Sequence, residues 1–167
     1  MLLRARANSG GFTLVELIVV MVVLAIAAAM IVPYALDNND LKATAAARLL
    51  SGDLEYAQNQ AITYQNPVTV TFDTTNETYT LSNASGTLVE PITKKPYTRN
   101  FKTDANLGGV NVYEAKFTGN SPVYSVQFSE LGSPNNGGDV KLQAGPNIYE
   151  IDVLPATGKI TVTQIQS

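Results

Sequence analysis

Glu16 is the residue whose chemistry most needs explaining, because it stands at the head of twenty consecutive uncharged residues, Leu17 through Leu36. A helix of that length, at about 1.5 Å per residue, spans a hydrocarbon core of roughly 30 Å, so the carboxylate enters the apolar phase with it. A charge in the membrane centre costs about 2.5 to 3.5 kcal/mol and calls for a partner. Downstream of Gly11 the nearest cation in sequence is Lys42, beyond the far end of the apolar run. A free amine made by cutting before Phe12 would supply the charge, and the amine of an adjacent copy approaches more freely than the chain's own. At an effective dielectric near 20, a pair 4 Å apart gains about 4 kcal/mol, enough to offset insertion. Such pairing would fix the register between subunits.

The other chemistry-bearing residues are few. The chain has no histidine and no cysteine, so a zinc site and the usual Cys/His or Ser/His/Asp nucleophiles are excluded. No catalytic residue, metal site or cofactor site is expected, and the chain is read as not an enzyme. Asp37, Asn38, Asn39 and Asp40, or Asp73, Asn76 and Glu77, offer oxygen ligands for calcium, but neither set has the spacing of a known loop, and these residues ordinarily make caps and turns. Lys94, Lys95, Arg99 and Lys102 gather beside Tyr97 and Phe101, a combination suited to single-stranded nucleic acid or an acidic partner. The plainer reading of the same residues is a solvated strand, and nucleic acid ranks below it.

Composition limits the classes further. The chain has 167 residues, room for one domain beyond an anchor. Loss of residues 1–11 removes Arg4 and Arg6 and leaves nine basic against fourteen acidic side chains, which argues against general binding to a phosphate backbone. The basic leader ahead of the apolar run, residues 1–11, is expected to lie in the cytoplasm, with the head outside it.

The elements that position these residues follow from periodicity. Ala43, Ala47, Leu50, Leu54, Ala57 and Ala61 recur at spacings of four and three, one face of a helix, while Arg48, Asp53, Glu55, Asn59 and Gln60 are left mostly for other faces. Pro67 closes this helix. If it continues the apolar segment, one helix runs from Phe12 to Tyr64 and reaches about 80 Å. After Pro67 the period becomes two: Val68, Val70 and Phe72, then Tyr79 and Leu81 across a turn at Asp73 to Asn76, read as a hairpin. Further strands are expected near 87–92, 97–103, 109–117, 122–129, 138–143, 147–153 and 159–164. The predicted fold is α+β: a long N-terminal helix, membrane-spanning in its first half and amphipathic in its second, packed on a C-terminal antiparallel β-sheet head. The segments are 1–11 leader, 12–36 membrane or filament-core helix, 37–66 amphipathic continuation and 67–167 head.

Gly11 followed by Phe12-Thr13-Leu14-Val15-Glu16 resembles the class III signal of type IV pilins and type II secretion pseudopilins. That resemblance implies cleavage by a prepilin peptidase between Gly11 and Phe12, N-methylation of Phe12, an assembly role for Glu16, and a helix bend or local melting at Pro33. The C-terminal third is similar to the GspH/FimT group of minor pseudopilins, through Phe128, Leu131-Gly132-Ser133, Tyr149-Glu150-Ile151-Asp152-Val153 and Thr157-Gly158-Lys159-Ile160-Thr161-Val162. Residues 48–62 resemble that group's helix, while residues 84–121 match no pattern of it. The resemblance implies a structural subunit of a type II secretion pseudopilus or type IV pilus. Its partners would be other pilin or pseudopilin subunits, the peptidase, and an inner-membrane assembly platform with its ATPase. The chain would be single-pass in the bacterial inner membrane and enter a filament on assembly. Some FimT-like pilins take part in DNA uptake, which gives the basic cluster a route to nucleic acid. The alternatives are a major, repeating subunit, or a secreted β-rich binding domain released behind Ala27-x-Ala29 by an ordinary signal peptidase.

Overall fold

The computed structural model describes residues 11–36, 38–117 and 124–166, with the side chains of 30–36 left out. The expected leader, except for Gly11, lies outside the described residues. The chain forms two compact units that part between Asp37 and Asn38.

The first unit contains α1, Leu14–Leu36. It starts at Thr13: the Thr13 Oγ1 accepts the N–H of Glu16 at 3.2 Å, and the Thr13 carbonyl accepts that of Leu17 at 3.2 Å. A threonine followed three residues later by glutamate is a capping-box sequence, so Thr13 satisfies an otherwise orphaned donor and Glu16 lies at the positive end of the helix dipole. Every large apolar side chain from Phe12 to Ile26 is at least 50% exposed. A helix apolar all round is one whose surface is ordinarily buried against lipid or other protein. Pro33 lies within the span of α1, but its side chain is outside the described residues.

The second unit begins with α2, Asn39–Tyr64. The expectation of one helix from Phe12 to Tyr64 is corrected here. Asn38, at φ −100° and ψ 14°, leaves helical geometry and serves as the N-cap of a new helix. The asparagine- and aspartate-rich run at 37–40 supplies the residues that favour such a restart. At the other end, Gln65 adopts a left-handed conformation at φ 49°, and Asn66 N–H bonds the Ala61 carbonyl at 3.2 Å, closing the helix before Pro67. The six apolar positions read from the 3.6-residue period are all buried, together with Ala46 and Asp53. Five alanines among the eight buried positions let the helix approach the strands closely.

The strands are β1 Val68–Asp73, β2 Thr78–Asn83, β3 Gly86–Thr87, β4 Thr98–Asn100, β5 Asn111–Phe117, β6 Ser125–Phe128, β7 Gly138–Ala144, β8 Asn147–Val153 and β9 Ile160–Gln166. They form two antiparallel sheets, one in the order β3-β2-β1-β6 with β4 also paired to β2, the other in the order β5-β7-β8-β9. The expected hairpin is β1 and β2, with Phe72 opposite Tyr79 and Val70 opposite Leu81. The expected strand at 87–92 shrinks to β3 and a single bridge between Val89 and Pro96, because two prolines interrupt the ladder. Helix α2 packs on both sheets. An aromatic run joins the sheets: Phe117 of β5 stacks on Phe72 of β1 at 5.8 Å, Phe72 meets Tyr79 at 5.9 Å, and Tyr79 meets Phe101 at 5.8 Å.

Candidate functional site

The N-terminal motif residues lie in sequence order along the first turn of α1 and the three residues before it. Gly11 and Phe12 precede the helix and are both exposed, Phe12 at 84%. The Thr13 cap fixes where the helix begins and hence the height at which Glu16, itself exposed, stands on its surface. Thr13 is the first member of a Thr-x-x-Glu pattern ahead of an apolar run, the sequence signal from which its capping role is legible.

The basic cluster of the head is divided by the fold. Arg99 on β4 turns inward: its Nε donates to Asp53 Oδ2 at 3.2 Å, its Nη2 donates to Glu90 Oε1 at 2.7 Å, and its guanidinium lies 5.3 Å from the centre of the Tyr97 ring. Lys102 donates to the carbonyl of Thr75 at 2.8 Å, which fastens the β1–β2 turn. Lys94 and Lys95 remain exposed on the loop between β3 and β4. Arg99 is thus committed to an internal ion pair, and only part of the expected four-cation set faces solvent together.

Asp53 is the residue that sequence reasoning misplaced. It was assigned to a polar face of the helix, yet it is 6% exposed and accepts from Tyr79 Oη at 2.7 Å and Tyr97 Oη at 3.0 Å as well as from Arg99. A buried carboxylate is tolerable because these donors satisfy it. Burial, reinforced by the adjacent Asp53 charge, pushes both phenols up from their ordinary value and keeps them as donors. Burial also opposes the Arg99 charge, but Asp53, Tyr79 and Glu90 together outweigh it, so the guanidinium holds its proton more tightly. Glu90 is held below its usual range by the Thr93 hydroxyl first and by Arg99 next. The cluster joins α2, β2, β4 and the 88–97 loop.

The two glycine motifs of the C-terminal third meet on the helix. Gln58 Nε2 donates to the Gly132 carbonyl at 2.7 Å and to the Thr157 carbonyl at 3.3 Å. Gly158 has φ 66°, and a Cβ there would lie 2.6 Å from Gln58 Nε2 and 2.9 Å from the Gly132 oxygen. Leu131-Gly132-Ser133 and Thr157-Gly158-Lys159 therefore form one clasp around a single glutamine.

The calcium candidates resolve differently. Asp73 closes the β1–β2 turn, accepting from Thr75 N, Asn76 N and Asn76 Nδ2 at 2.6 to 3.0 Å. Asp37 of the other set lies outside the described residues. Among the described residues no group of three or more acids is placed to hold a metal ion, and no helix is long and apolar enough to cross a membrane.

Comparison with known proteins places this geometry in a family. A family model described as the prokaryotic N-terminal methylation motif matches residues 6–32, and one described as type II transport protein GspH matches residues 46–158. The minor pseudopilin EpsH from the type 2 secretion system of Vibrio cholerae superposes with a TM-score of 0.55 at 14% identity, over 74% of this chain and 97% of that one. The type IV minor pilin FimU of Pseudomonas aeruginosa superposes with a TM-score of 0.52, also at 14% identity, over 75% of this chain and 91% of that one. At that identity the likeness is one of fold. No curated protein sequence matches the chain. With the GspH model spanning well over half of its residues, behind an N-terminal methylation motif, the chain belongs to the type II transport protein GspH family and is a pilin-like structural subunit.

Proposed function

We propose that the chain is a minor pseudopilin or minor pilin, made as a precursor and matured at its N-terminus. A prepilin peptidase cuts between Gly11 and Phe12, and Phe12 is N-methylated. Residues 12–36 then hold the subunit in the inner membrane in a single pass, with the head outside the cytoplasm, until an assembly platform and its ATPase extract it. The observation that carries this reading is α1 itself: an apolar helix with every large side chain from Phe12 to Ile26 at least 50% exposed, opened by a threonine cap and one glutamate. In the membrane lipid covers that surface; in a filament the same surface of other subunits replaces lipid.

Glu16 has the pairing role in this scheme. It stands one turn from the new N-terminus, and the amine of a neighbouring subunit's Phe12 is the cation its apolar surroundings require. Pro33 supplies the place where α1 bends or melts as subunits pack. The deciding experiment is mass spectrometry of the mature N-terminus from cells with and without the peptidase. The expected species is N-methylated Phe12, replaced by the unprocessed precursor when the enzyme is absent. An N-terminus at Met30, or an unaltered Met1 in both strains, would overturn the assignment.

A further inference from the structure

We infer that β9 is a docking edge, to which a strand of a different subunit of the same filament adds by main-chain pairing; the choice of a filament subunit rests on the function proposed above. An open sheet edge is a row of unpaired N–H and C=O groups, and folded proteins usually close it with a short strand, a charge, a proline or a covering segment. Of the four edges of the two sheets, three are closed in such ways. β3 and β4 are only two and three residues long. On β6, Asn135 donates its N–H to the Gln127 carbonyl and accepts the Gln127 N–H on its Oδ1. On β5, the Glu77 carboxylate accepts the Val112 N–H. The fourth edge, β9, pairs among the described residues with β8 alone. It runs for seven residues, Ile160–Gln166, without a charge or a proline.

The register shows which groups are open. Leu154 N–H bonds the Lys159 carbonyl at 3.0 Å, and hydrogen-bonded pairs alternate along an antiparallel ladder. Thr161 and Thr163, opposite Asp152 and Glu150, therefore turn their main-chain groups toward β8, while Ile160, Val162 and Gln164 turn theirs away from the sheet. Among the described residues no hydrogen bond reaches those outward groups. The one irregularity, an unmatched Ile165, lies at the far end and leaves residues 160–164 in regular register. Val162 is 39% and Ile165 48% exposed, so an added strand also covers apolar surface.

The occupant of such an edge is an extended polypeptide, because a strand offers donors and acceptors at the matching spacing. A second copy of this chain fits poorly. Its other edges are closed, and antiparallel pairing of β9 with itself, the more stable kind, turns one copy end for end, whereas subunits anchored in one membrane point the same way. Charge favours a different sequence as well. Asp152 lies behind Thr161 on the same side of the sheet, and no cation of the described residues pairs with it, since Lys141 serves Glu114, Asp139 and Glu150. Strands lie about 4.8 Å apart, so a lysine or arginine beside Thr161 on the incoming strand reaches across to Asp152. β9 itself has no such residue to offer a copy. A short paired strand binds weakly alone, and subunits already held side by side in a filament supply the effective concentration that a passing exported polypeptide lacks.

The test is photocrosslinking in cells from p-benzoylphenylalanine placed at Thr163 of the full chain, with the product and its N-termini identified by mass spectrometry. The expected product joins this chain to one of different sequence that carries its own methylated mature N-terminus, at a strand bearing a lysine or arginine. Val162→Pro and Gln164→Pro each delete one outward N–H and leave the β8 ladder alone, since proline is tolerated on an edge. Each is expected to lower the yield about fivefold, the loss of one hydrogen bond. Thr161→Lys keeps the main chain, gives Asp152 an internal cation and repels the incoming one, and is expected to lower the yield as much. Thermal melts show which proline variant keeps the fold. No cross-link, one only to a second copy or to an exported protein, or a yield unchanged by Thr161→Lys and by a folded proline variant would overturn the inference. An unprocessed Met1 in the same spectra would overturn instead the filament reading on which the choice of partner rests.

Discussion

Asp53 shows how much one buried side chain can decide. It sits on the packed face of α2 between two phenols and a guanidinium, so removing it strands the buried hydroxyls of Tyr79 and Tyr97 and leaves Arg99 with Glu90 and solvent. Breaking such a pair by deleting one partner costs about 3 to 5 kcal/mol, so Asp53→Ala is expected to destabilise the head by about 3 kcal/mol. Tyr79→Phe removes only one of the donors and is expected to cost about 1 kcal/mol. Urea unfolding followed by circular dichroism reads both, and equal losses would show that Asp53 contributes no more than one hydrogen bond. The residue was legible in one sense: it lies three positions after Leu50 and four before Ala57, within the apolar face. Its charge argued it onto the polar side, because sequence periodicity does not reveal a partner more than forty residues away. Arg99 was misread for the complementary reason, as a cation among cations rather than as the counter-ion of a buried acid.

At the scale of elements, the helix and most strands could be read because their patterns are local. The 4-3-4-3-4 spacing of α2 and the alternation of Val68, Val70 and Phe72 both survive in the structure. The division into two sheets could not be read, since it depends on the long-range contact of Phe117 with Phe72 and on which strands α2 covers. The Gln58 clasp belongs to the same class of contact. It predicts that Gly158→Ala costs about 2 kcal/mol, since a left-handed alanine alone costs roughly 1 to 2 kcal/mol and its Cβ also presses on a backbone carbonyl. Gly132→Ala, whose nearest obstacle is the movable tip of Ile62 at 2.7 Å, is expected to cost less in the same urea measurement. Between β5 and β7, Glu114 pairs with Lys116 and with Lys141, the latter at 2.7 Å. Its hydrogen bond to Lys116 first, and that to Lys141 next, bring Glu114 down from 4.5 to about 2. A carboxylate depressed in the folded state contributes stability above its unfolded value and loses it as pH falls through the folded one. Stability should therefore decline between pH 4.5 and about 2 in part through this group, and Glu114→Gln should flatten that part of the acid limb. An unchanged limb in pH-dependent thermal melts would remove Glu114 from the account; added salt should shrink the effect, because the pair is exposed.

For the whole molecule, the head buries a hydrophobic core of its own while every large apolar side chain of α1 up to Ile26 is at least 50% exposed, so the question is what the first unit requires of its surroundings. Two physical roles compete for Glu16, and the structure makes them separable. As the third residue of a capped helix it improves the N-terminus through the dipole and the capping box, a role that glutamine shares in part. As the partner of a neighbour's amine it acts only through its charge. Glu16→Gln keeps the shape and the capacity to cap while removing the charge, whereas Thr13→Ala removes the Oγ1 that accepts the Glu16 N–H and leaves the charge in place. If pairing between subunits is the dominant role, Glu16→Gln and Glu16→Ala are both processed and membrane-inserted but poorly incorporated into filaments, and Thr13→Ala assembles. If capping dominates, Thr13→Ala impairs assembly and Glu16→Gln largely escapes. Immunoblots of sheared filaments against membrane fractions distinguish the two, with N-terminal mass spectrometry as the control that each variant was matured. The magnitudes favour pairing: a cap of this kind is worth about 1 kcal/mol, against about 4 kcal/mol for an ion pair at 4 Å in an environment of effective dielectric near 20.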